Sequence, residues 1–494
     1  MTDVPLNPEW IENHTFDEIR VGDRAQLQRT LTDDDIQLFA AMSGDVNPTH
    51  VDPDYASQTP FHGVIAHGMW GGALISTVLG TQFPGPGTIY LSQSLTFERP
   101  VHVGDTLDVR VVVEEMRPEH QQVRLSCQCV DQSGREVIAG TAWVKAPTEK
   151  VRRPRITPDH VRLSNPQRRY QALLQLTAGL PPLKVAVVHP CSSESLKGAL
   201  DAAALGLIDP ILVGPIDKIQ ATAKAAGLDL GGLSLRDVPH SHAAAAEAVA
   251  MVQRGEVAAL MKGSLHTDEL MGEVVKPANG LRTERRISHV FVLDVPSYPK
   301  PLLISDAAIN VTPDLEAKRD IVQNAIDLAR ALGIEQPRVA ILAAVETVNV
   351  LMQSTLDAAA LCKMADRGQI HGGLVDGPLA FDNAINMQAA RDKGIVSPVA
   401  GQADILIAPD LEAGNMMAKQ LQYLADSQAA GIVLGARVPI ILTSRADGPA
   451  SRVASCALAV LMCQALEKQA ASRKSLGVSA VATTSTITSA IAGA

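Results

Sequence analysis

Aromatic residues are scarce in this chain, and clustered cysteines and long apolar runs are missing. Phe, Trp and Tyr together make up 3% of the 494 residues, which argues against the aromatic platforms on which single-stranded nucleic acids stack. A formal net charge of -10 disfavours a surface for phosphate backbones or anionic membranes. The six cysteines are scattered without a CxxC pair and therefore predict reduced, mostly buried thiols.

Targeting signals are also missing from the pattern. The first residues, Met-Thr-Asp-Val-Pro, have neither the basic start nor the apolar core of a signal peptide. No uninterrupted apolar run approaches the roughly 20 residues that span a bilayer. We therefore expect a cytoplasmic protein that binds neither membranes nor nucleic acids. Its length predicts roughly two to four globular domains.

The most informative motif combines an acid, a histidine and a fixed bend. It runs Asp45-Val-Asn-Pro-Thr-His50-Val-Asp52 and is followed by Phe61-His-Gly-Val-Ile-Ala-His-Gly-Met69. The Asn-Pro step fixes the bend, because proline restricts its own backbone and that of its predecessor. Asp45 and His50 flank this bend, so their side chains could share one water. Each residue alone is more often a turn cap or a surface residue, but their joint occurrence favours an acid/base pair.

A buried helix is predicted directly after this motif. Apolar residues recur at helical spacing from Ala66 to Leu79, the pattern of a helix packed into a core. If the helix begins at His67-Gly68, the Gly68 N–H is one of the unpaired donors of its first turn and can face a developing negative charge. Asp45, His50 and Gly68 would then supply an acid/base pair and a backbone oxyanion site.

Residues from about 12 to 146 resemble the (R)-specific enoyl-CoA hydratases of the MaoC-like hot-dog group, whose motif runs Asp, x, Asn-Pro, x, His and then His-Gly-Met. The resemblance implies an α+β hot-dog domain over residues 1–146, in which antiparallel strands wrap one helix. It implies that Asp45 and His50 hold the water that adds to an enoyl thioester and that the Gly68 N–H binds the thioester oxygen. Ser76 falls where the family has a supporting polar residue. Four segments that mostly alternate apolar and polar residues fit this sheet, namely 91–97, 105–113, 122–130 and 136–144.

A connector rich in proline and basic residues follows this domain. Residues 147–169 contain four prolines, six arginines and one lysine. The prolines exclude a long helix and the charge keeps the segment in solvent, so it is predicted to link two domains. Attraction of CoA phosphates by these arginines is the less favoured alternative.

From about residue 170, short apolar runs alternate with long Ala-rich segments such as 241–254 and 315–332. This alternation predicts a mostly parallel sheet covered by helices, whose ligands bind at the carboxyl ends of the strands. Six polar clusters at predicted strand ends point to a polar cleft. They are 262–267, Asp294, Ser305-Asp306, 376–378, Pro409-Asp410 and 443–447. Arg282, Arg285 and Arg286 precede one of the strands and are candidates for binding an anion.

Residues from about 170 to 475 resemble the phosphate acetyltransferase and phosphate butyryltransferase family, which interconverts acyl-CoA plus phosphate and acyl phosphate plus CoA. Matching stretches include Met261-Lys-Gly-Ser-Leu-His-Thr-Asp268, Ile304-Ser-Asp-Ala-Ala-Ile-Asn310 and Pro439-Ile-Ile-Leu-Thr-Ser-Arg445. The resemblance implies a two-lobed α/β domain over residues 170–494. Lobe one would comprise about 170–297 and 431–494, and lobe two about 298–430.

The same resemblance implies the site residues of the transferase. Arg445 would bind phosphate and stabilise transition-state charge, and Ser444 would form a hydrogen bond near the reacting group. CoA thioesters and phosphate would be substrates, with no metal and no permanently bound cofactor. In many acetyltransferases of the family an aspartate activates the thiol, and this chain has Ser451 at that position. The nearest acid is Asp447, an arrangement that resembles the butyryltransferase branch. Further candidates for substrate binding are Lys262, Arg285, Arg286, Ser305, Asp306 and Asp410.

Together these patterns predict a bifunctional acyl-CoA enzyme that forms a homodimer or a larger homo-oligomer, because both parent folds usually assemble. One alternative is a phosphate acyltransferase whose hot-dog domain only assembles the protein or binds CoA esters. The intact Asp45, His50 and Gly68 argue against it. The other alternative is a CoA-ester sensor without turnover, and the retained Lys262, Arg286, Ser444 and Arg445 argue against it.

Overall fold

A computed structural model describes residues 10–156, 166–443 and 448–475, without the side chains of residues 166–168 and 472–475. The chain divides into two compact units, Met1–Ser164 and Asn165–Ala494. This division lies inside the segment 147–169 that the sequence suggests as a connector.

The first unit is an antiparallel sheet that wraps one long helix. Its strands are β1 (Trp10–Glu12), β2 (Arg24–Thr30), β3 (Ile89–Phe97), β4 (Thr106–Arg117), β5 (Gln122–Val130), β6 (Glu136–Lys145) and β7 (Arg152–Pro154). Its helices are α1 (Asp33–Ser43), α2 (Pro48–Val51), α3 (Pro53–Ser57) and α4 (Gly68–Thr81). The main sheet has the order β2-β4-β5-β6-β3, and β1 pairs with β7 in a separate two-stranded sheet. The predicted hot-dog fold is confirmed.

The core of this unit lies between α4 and the sheet. In β4, Leu107, Val109 and Val111 are fully buried, whereas the intervening Arg110 is exposed, as the two-residue period of a strand requires. On the helix, Ile75, Val78 and Leu79 are fully buried and join the same cluster. Each such side chain contributes roughly 1.5–3 kcal/mol when it leaves water.

At Gly140, strand β6 packs very closely against β3. A Cβ at this position would lie 1.9 Å from the main-chain oxygen of Ser94, so the two strands would have to separate. We expect Gly140→Ala to destabilise the unit by about 3 kcal/mol or more. Gly80→Ala is the matched control, because its added Cβ would meet nothing within 4 Å and alanine favours a helix by about 0.5–1 kcal/mol. Denaturant unfolding of both variants checks this prediction, and a Gly140→Ala protein as stable as the parent would contradict it.

The second unit is built on a single sheet of eleven strands. Its strands are β8 (Leu183–Val188), β9 (Ile208–Gly214), β10 (Ser234–Asp237), β11 (Ala259–Lys262), β12 (Ser288–Asp294), β13 (Leu302–Ser305), β14 (Arg338–Leu342), β15 (Leu374–Leu379), β16 (Ile405–Ile407), β17 (Gln428–Leu434) and β18 (Ile440–Ile441). Its helices are α5 (Pro166–Gln175), α6 (Ser193–Ala204), α7 (Ile216–Ala225), α8 (Ser241–Gln253), α9 (Thr267–Val274), α10 (Leu315–Ala331), α11 (Gln353–Asp366), α12 (Phe381–Ile385), α13 (Met387–Asp392), α14 (Leu411–Leu424) and α15 (Pro449–Ser475).

Strand direction divides this sheet into two sets. The strand order is β10-β9-β8-β11-β18-β17-β12-β13-β16-β14-β15, and seven of the ten neighbouring pairs are parallel. The prediction of a mostly parallel sheet is therefore confirmed. The other three pairs, β18 with β17, β17 with β12 and β12 with β13, are antiparallel. Consequently β13, β14, β15 and β16 run opposite to β8 to β12 and β18, and their carboxyl ends lie at the opposite edge of the sheet.

Helix α15 is the longest helix of the unit and passes through its core. Val453, Ala457 and Val460 are buried on it, and it packs against α6 and β17. Its stretch Pro449–Ala471 is long and apolar enough to cross a membrane by length and composition alone, but 61% of its apolar 18-residue part is buried within the protein. That degree of burial is typical of a core helix in a folded domain.

All six cysteines are free, three of them buried and three partly buried. Burial raises the pKa of Cys456 to about 12, and burial does the same to the pKa of Cys129. Both thiols are therefore protonated and unreactive near neutral pH.

Candidate active sites

The Asp-Val-Asn-Pro-Thr-His motif forms the turn between α1 and α2. Gly44 ends α1 in the left-handed region, with φ of 76°. Asn47 then caps α2, since its side chain accepts a hydrogen bond from the Thr49 N–H at 3.1 Å, and Pro48 is the first residue of that helix. Asp45 therefore precedes the short helix and His50 lies on it, on either side of the predicted bend.

His50 is held in one tautomer. Its Nδ1–H donates to the main-chain oxygen of Ile65 at 2.8 Å, because a carbonyl oxygen can only accept. In the neutral ring this leaves Nε2 as the acceptor, which is the form that a general base needs. Asp45 is exposed, and its carboxylate accepts from the Asn47 N–H at 3.3 Å.

A cavity of about 290 Å³ opens beside His50. Gly68, Phe97 and Ile138 are among the residues that line it. Gly68 is the first residue of α4, so its N–H is one of those that the helix itself leaves unpaired. A Cβ on Gly68 would lie 3.1 Å from the Phe97 ring, so glycine lets this ring pack closely against the start of α4. Ser76 is exposed on α4 and does not line this cavity, so its supporting role stays a prediction.

His67 is a member of this site that the sequence reasoning used only to mark the helix start. Its side chain is buried, with 3% exposure, and it lines the same cavity as His50. Potential ligand atoms of Asp45, His50 and His67 lie within 4.8 Å of one another. Groups at this spacing can share a water or a proton, and by geometry alone they could also hold a cation. The His-Gly-Met step of the motif was the signal that could have identified His67.

In the second unit, the carboxyl ends of β8, β11 and β18 lie at one edge of the sheet. Lys262 ends β11 and is almost completely buried. The Ser264 hydroxyl donates to the main-chain oxygen of His189 at 2.9 Å and accepts from the Cys191 N–H at 3.0 Å. Beyond β18, the Thr443 hydroxyl accepts from the buried Arg452 at 2.7 Å. The Ser264 contacts join the ends of β8 and β11, and the Thr443 contact ties the segment after β18 to α15.

The predicted catalytic residues of the transferase follow this edge directly in the sequence. Ser444, Arg445 and Asp447 lie outside the described residues, so their roles stay predictions. His189 is the residue that the sequence reasoning missed here. It follows the last residue of β8 and has a positive φ of 52°, which is uncommon for a residue other than glycine. Burial, followed by the charge of Lys218, lowers its pKa, which favours a neutral imidazole.

The opposite edge of the sheet holds Ser305, Asp306 and Asp410. Both Ser305 and Asp306 are buried, and the Ser305 hydroxyl donates to the main-chain oxygen of His289 at 2.9 Å. Asp410 is the N-cap of α14 and accepts from the Ala413 N–H at 2.8 Å. Each of these side chains therefore has a structural contact of its own, and its part in substrate binding stays a prediction.

Two of the predicted anion-binding arginines lie at this second edge. Arg285 forms an ion pair with Asp327 at 2.5 Å, so its charge is already paired with a carboxylate. Arg286 is exposed and donates through Nε to the Asn310 side chain at 2.9 Å. Arg286 is therefore the better placed of the two to bind a further anion.

Asp306 accepts hydrogen bonds through both carboxylate oxygens. Oδ1 accepts from the N–H groups of Ala308 at 3.0 Å and Ile309 at 3.2 Å, and Oδ2 accepts from the Asn310 N–H at 3.0 Å and its Nδ2 at 2.5 Å. We expect Asp306→Asn to lower the free energy of unfolding by about 2–3 kcal/mol, since its amide nitrogen would face buried donors. Asp410→Asn is the matched control, because asparagine caps a helix as well as aspartate. Equal denaturant midpoints for the two variants would contradict this role.

The six polar clusters do not share one edge of the sheet. Lys262, Asp294 and Thr443 follow strands of one direction, whereas Asp306 and Asp410 follow strands of the other. Asp294 is bound to Arg169 at 2.6 Å. The prediction that 376–378 follows a strand is wrong, because these residues lie inside β15, where Pro378 is accommodated at the outer strand of the sheet.

Comparisons with known proteins match both units. The family model described as "MaoC like domain" matches residues 19–130, and the one described as "Phosphate acetyl/butaryl transferase" matches residues 240–460. A phosphate acetyltransferase of Rhizobium meliloti is 62% identical over 293 residues, 59% of this chain and 93% of that protein. A phosphate butyryltransferase of Clostridium acetobutylicum is 43% identical over 279 residues, 56% of this chain and 93% of that protein. The solved structure of the R-hydratase PhaJ1 from Pseudomonas aeruginosa is 42% identical and covers 31% of this chain and 99% of its own, with a TM-score of 0.30.

Proposed function

Because the chain belongs to the phosphate acetyl/butyryl transferase family through its second unit and carries a MaoC-like hot-dog domain as its first, we propose that it is a bifunctional acyl-CoA enzyme. The first unit would hydrate a 2-enoyl-CoA to an (R)-3-hydroxyacyl-CoA. The second would transfer a short acyl group reversibly between CoA and phosphate. Both units would thus accept a CoA thioester.

The placement of His50 and Gly68 on one cavity carries the hydration proposal. His50 Nε2 is the free acceptor and takes a proton from a water held between His50 and Asp45. The water oxygen bonds to C3 of the enoyl thioester as the double bond shifts toward the carbonyl, and the Gly68 N–H stabilises the resulting enolate oxygen. C2 then takes up the proton that His50 Nε2 accepted from the water, so His50 is regenerated, one water has been added and no cofactor is consumed.

The 62% identity to a named phosphate acetyltransferase carries the transferase proposal. Phosphate oxygen attacks the acyl carbon of the thioester, the carbon–sulfur bond breaks, and the CoA thiolate leaves and is protonated. Arg445 would neutralise charge on phosphate, and Ser444 would hold the reacting group by a hydrogen bond. The higher identity favours an acetyl group, whereas Asp447 three residues beyond Ser444 resembles the butyryltransferase branch, so we propose a range of short acyl chains.

Assays on the purified full-length protein test both proposals. One follows the loss of enoyl absorbance from crotonyl-CoA, and the other follows phosphate-dependent release of CoA from acetyl-, propionyl- and butyryl-CoA. Activity in both assays supports the bifunctional enzyme. We further expect this enzyme to form a homo-oligomer in the cytoplasm. Transferase activity alone would make the hot-dog unit an assembly or CoA-ester-binding module. Binding of CoA esters without turnover would favour a sensor.

A further inference from the structure

We propose that His67 is a positioning residue of the hydration site, which holds the main chain of Asp45 and the ring of His50 in their working arrangement. This inference rests on the hydration proposed for the first unit. Its basis is a set of contacts that His67 makes to both members of the acid/base pair while it precedes the oxyanion donor Gly68 in the chain.

The first contact ties the Asp45 turn to the start of α4. The His67 Nε2–H donates to the main-chain oxygen of Asp45 at 2.9 Å, across 22 residues of sequence. A carbonyl oxygen only accepts, so Nε2 carries the hydrogen in this bond. Asp45 is exposed and lies outside a helix, so this bond restrains a turn that would otherwise move more freely.

The second contact is between two imidazole rings. The ring centroids of His67 and His50 are 4.0 Å apart, with an angle of 33° between the planes. The ring of Phe39 on α1 packs against His67 as well, at 4.9 Å. Since the Ile65 carbonyl fixes His50 Nδ1, the His67 ring supplies a further restraint on the His50 plane and so on the direction of Nε2.

The remaining nitrogen of His67 argues against an ordinary core role. Within the described part of the chain, Nδ1 is buried and accepts no hydrogen bond. A buried polar atom without a partner costs about 1–3 kcal/mol, a cost that an apolar residue of similar size would not carry. A histidine at this place is therefore explained by the bond that its other nitrogen makes to Asp45.

His67 also sets the start of α4. It is the N-cap residue of that helix, and its main-chain oxygen accepts from the Trp70 N–H at 2.9 Å. Gly68 follows it directly, so a displaced His67 would also shift the N–H assigned to the enolate oxygen. A shift of about 1 Å in such a site can reduce a rate roughly 100-fold.

Three variants separate the contacts. His67→Phe keeps a ring against His50 but cannot donate to Asp45, whereas His67→Gln keeps a donor near the position of Nε2. His120→Gln, at an exposed residue far along the sequence, is the matched control. We expect His67→Phe to lower kcat for crotonyl-CoA hydration about 30- to 100-fold with KM changed less than about threefold. We expect His67→Gln to recover at least about tenfold of that loss. Because the transferase site belongs to the other compact unit, the check on folding is a denaturant midpoint of the first unit close to the wild-type value.

Hydrogen exchange of the 44–52 segment provides a readout that does not depend on turnover. Faster amide exchange there in His67→Phe, but not in His67→Gln or His120→Gln, is the expected result. The inference is overturned if a folded His67→Phe keeps the wild-type kcat, if only KM rises, or if exchange in this segment is unchanged. The wild-type protein could fail to hydrate enoyl-CoA while the variants still show the expected exchange pattern. That outcome would refute the proposed hydration and leave the restraint on Asp45 standing.

Discussion

Asp45→Asn and His50→Ala should each lower the rate of crotonyl-CoA hydration by about 10²–10⁴-fold, the usual contribution of a positioned acid or base. His50→Ala removes the Nε2 acceptor that the Ile65 contact leaves free, and Asp45→Asn removes the negative charge opposite it. Phosphate-dependent CoA release should stay within about twofold of the wild-type rate, because the site assigned to it belongs to the other compact unit. Loss of enoyl absorbance and release of free thiol measure the two activities on the same preparation.

Asp54→Asn is a suitable control for this pair. Asp54 lies on the first turn of α3, close in sequence to the motif but outside the residues that line the cavity. The variant should hydrate crotonyl-CoA at nearly the wild-type rate. If a folded Asp45→Asn or His50→Ala protein lost both activities, the two sites would not be independent. If His50→Ala retained full hydration, the acid/base assignment itself would fail.

The elements of the first unit were predictable because their patterns are local. Segment 122–130 alternates apolar and polar residues and coincides with β5 (Gln122–Val130), and the predicted helix 66–79 is observed as α4 (Gly68–Thr81). The edge strand β2 (Arg24–Thr30) was missed, since its sequence, RAQLQRT, is mostly exposed and offers little hydrophobic signal.

In the second unit, the strands β17 and β18 depend on contacts that are distant in sequence. β17 contains Gly431, and a Cβ there would lie 2.6 Å from the main-chain oxygen of Leu442 and 2.9 Å from the His289 ring. Glycine weakens the local strand signal but permits this close packing. β18 has only two residues, too few for a periodic pattern. Its identity as a strand comes from its partners β11 and β17.

The two sites also differ in how far they could be predicted from local sequence patterns. Asp45, His50 and Gly68 could be proposed from one motif, because the Pro-fixed turn before α2 and the start of α4 each have a local sequence signal. The orientation of His67 was not predictable, since it depends on a hydrogen bond to a main-chain oxygen 22 residues away. The polar clusters of the second unit were located at strand ends, but a local pattern does not give strand direction. The division of Lys262 and Asp306 between opposite edges therefore required the structure.

Arg445→Ala should abolish phosphate-dependent CoA release while hydration of crotonyl-CoA continues at the wild-type rate. Arg445 comes two positions after Thr443 in the sequence, and removing a group that stabilises transition-state charge costs about 10²–10³-fold or more. Arg445→Lys should recover only part of the rate, because an ammonium keeps the charge but lacks the planar pair of donors that matches phosphate. Thiol release at varied phosphate concentration measures both variants, and denaturant unfolding of the second unit serves as the folding control. If Arg445→Lys equalled the wild type, charge alone would suffice. If Arg445→Ala retained the transferase rate, phosphate binding would have to be assigned elsewhere, with Arg286 at the opposite edge as the next residue to substitute.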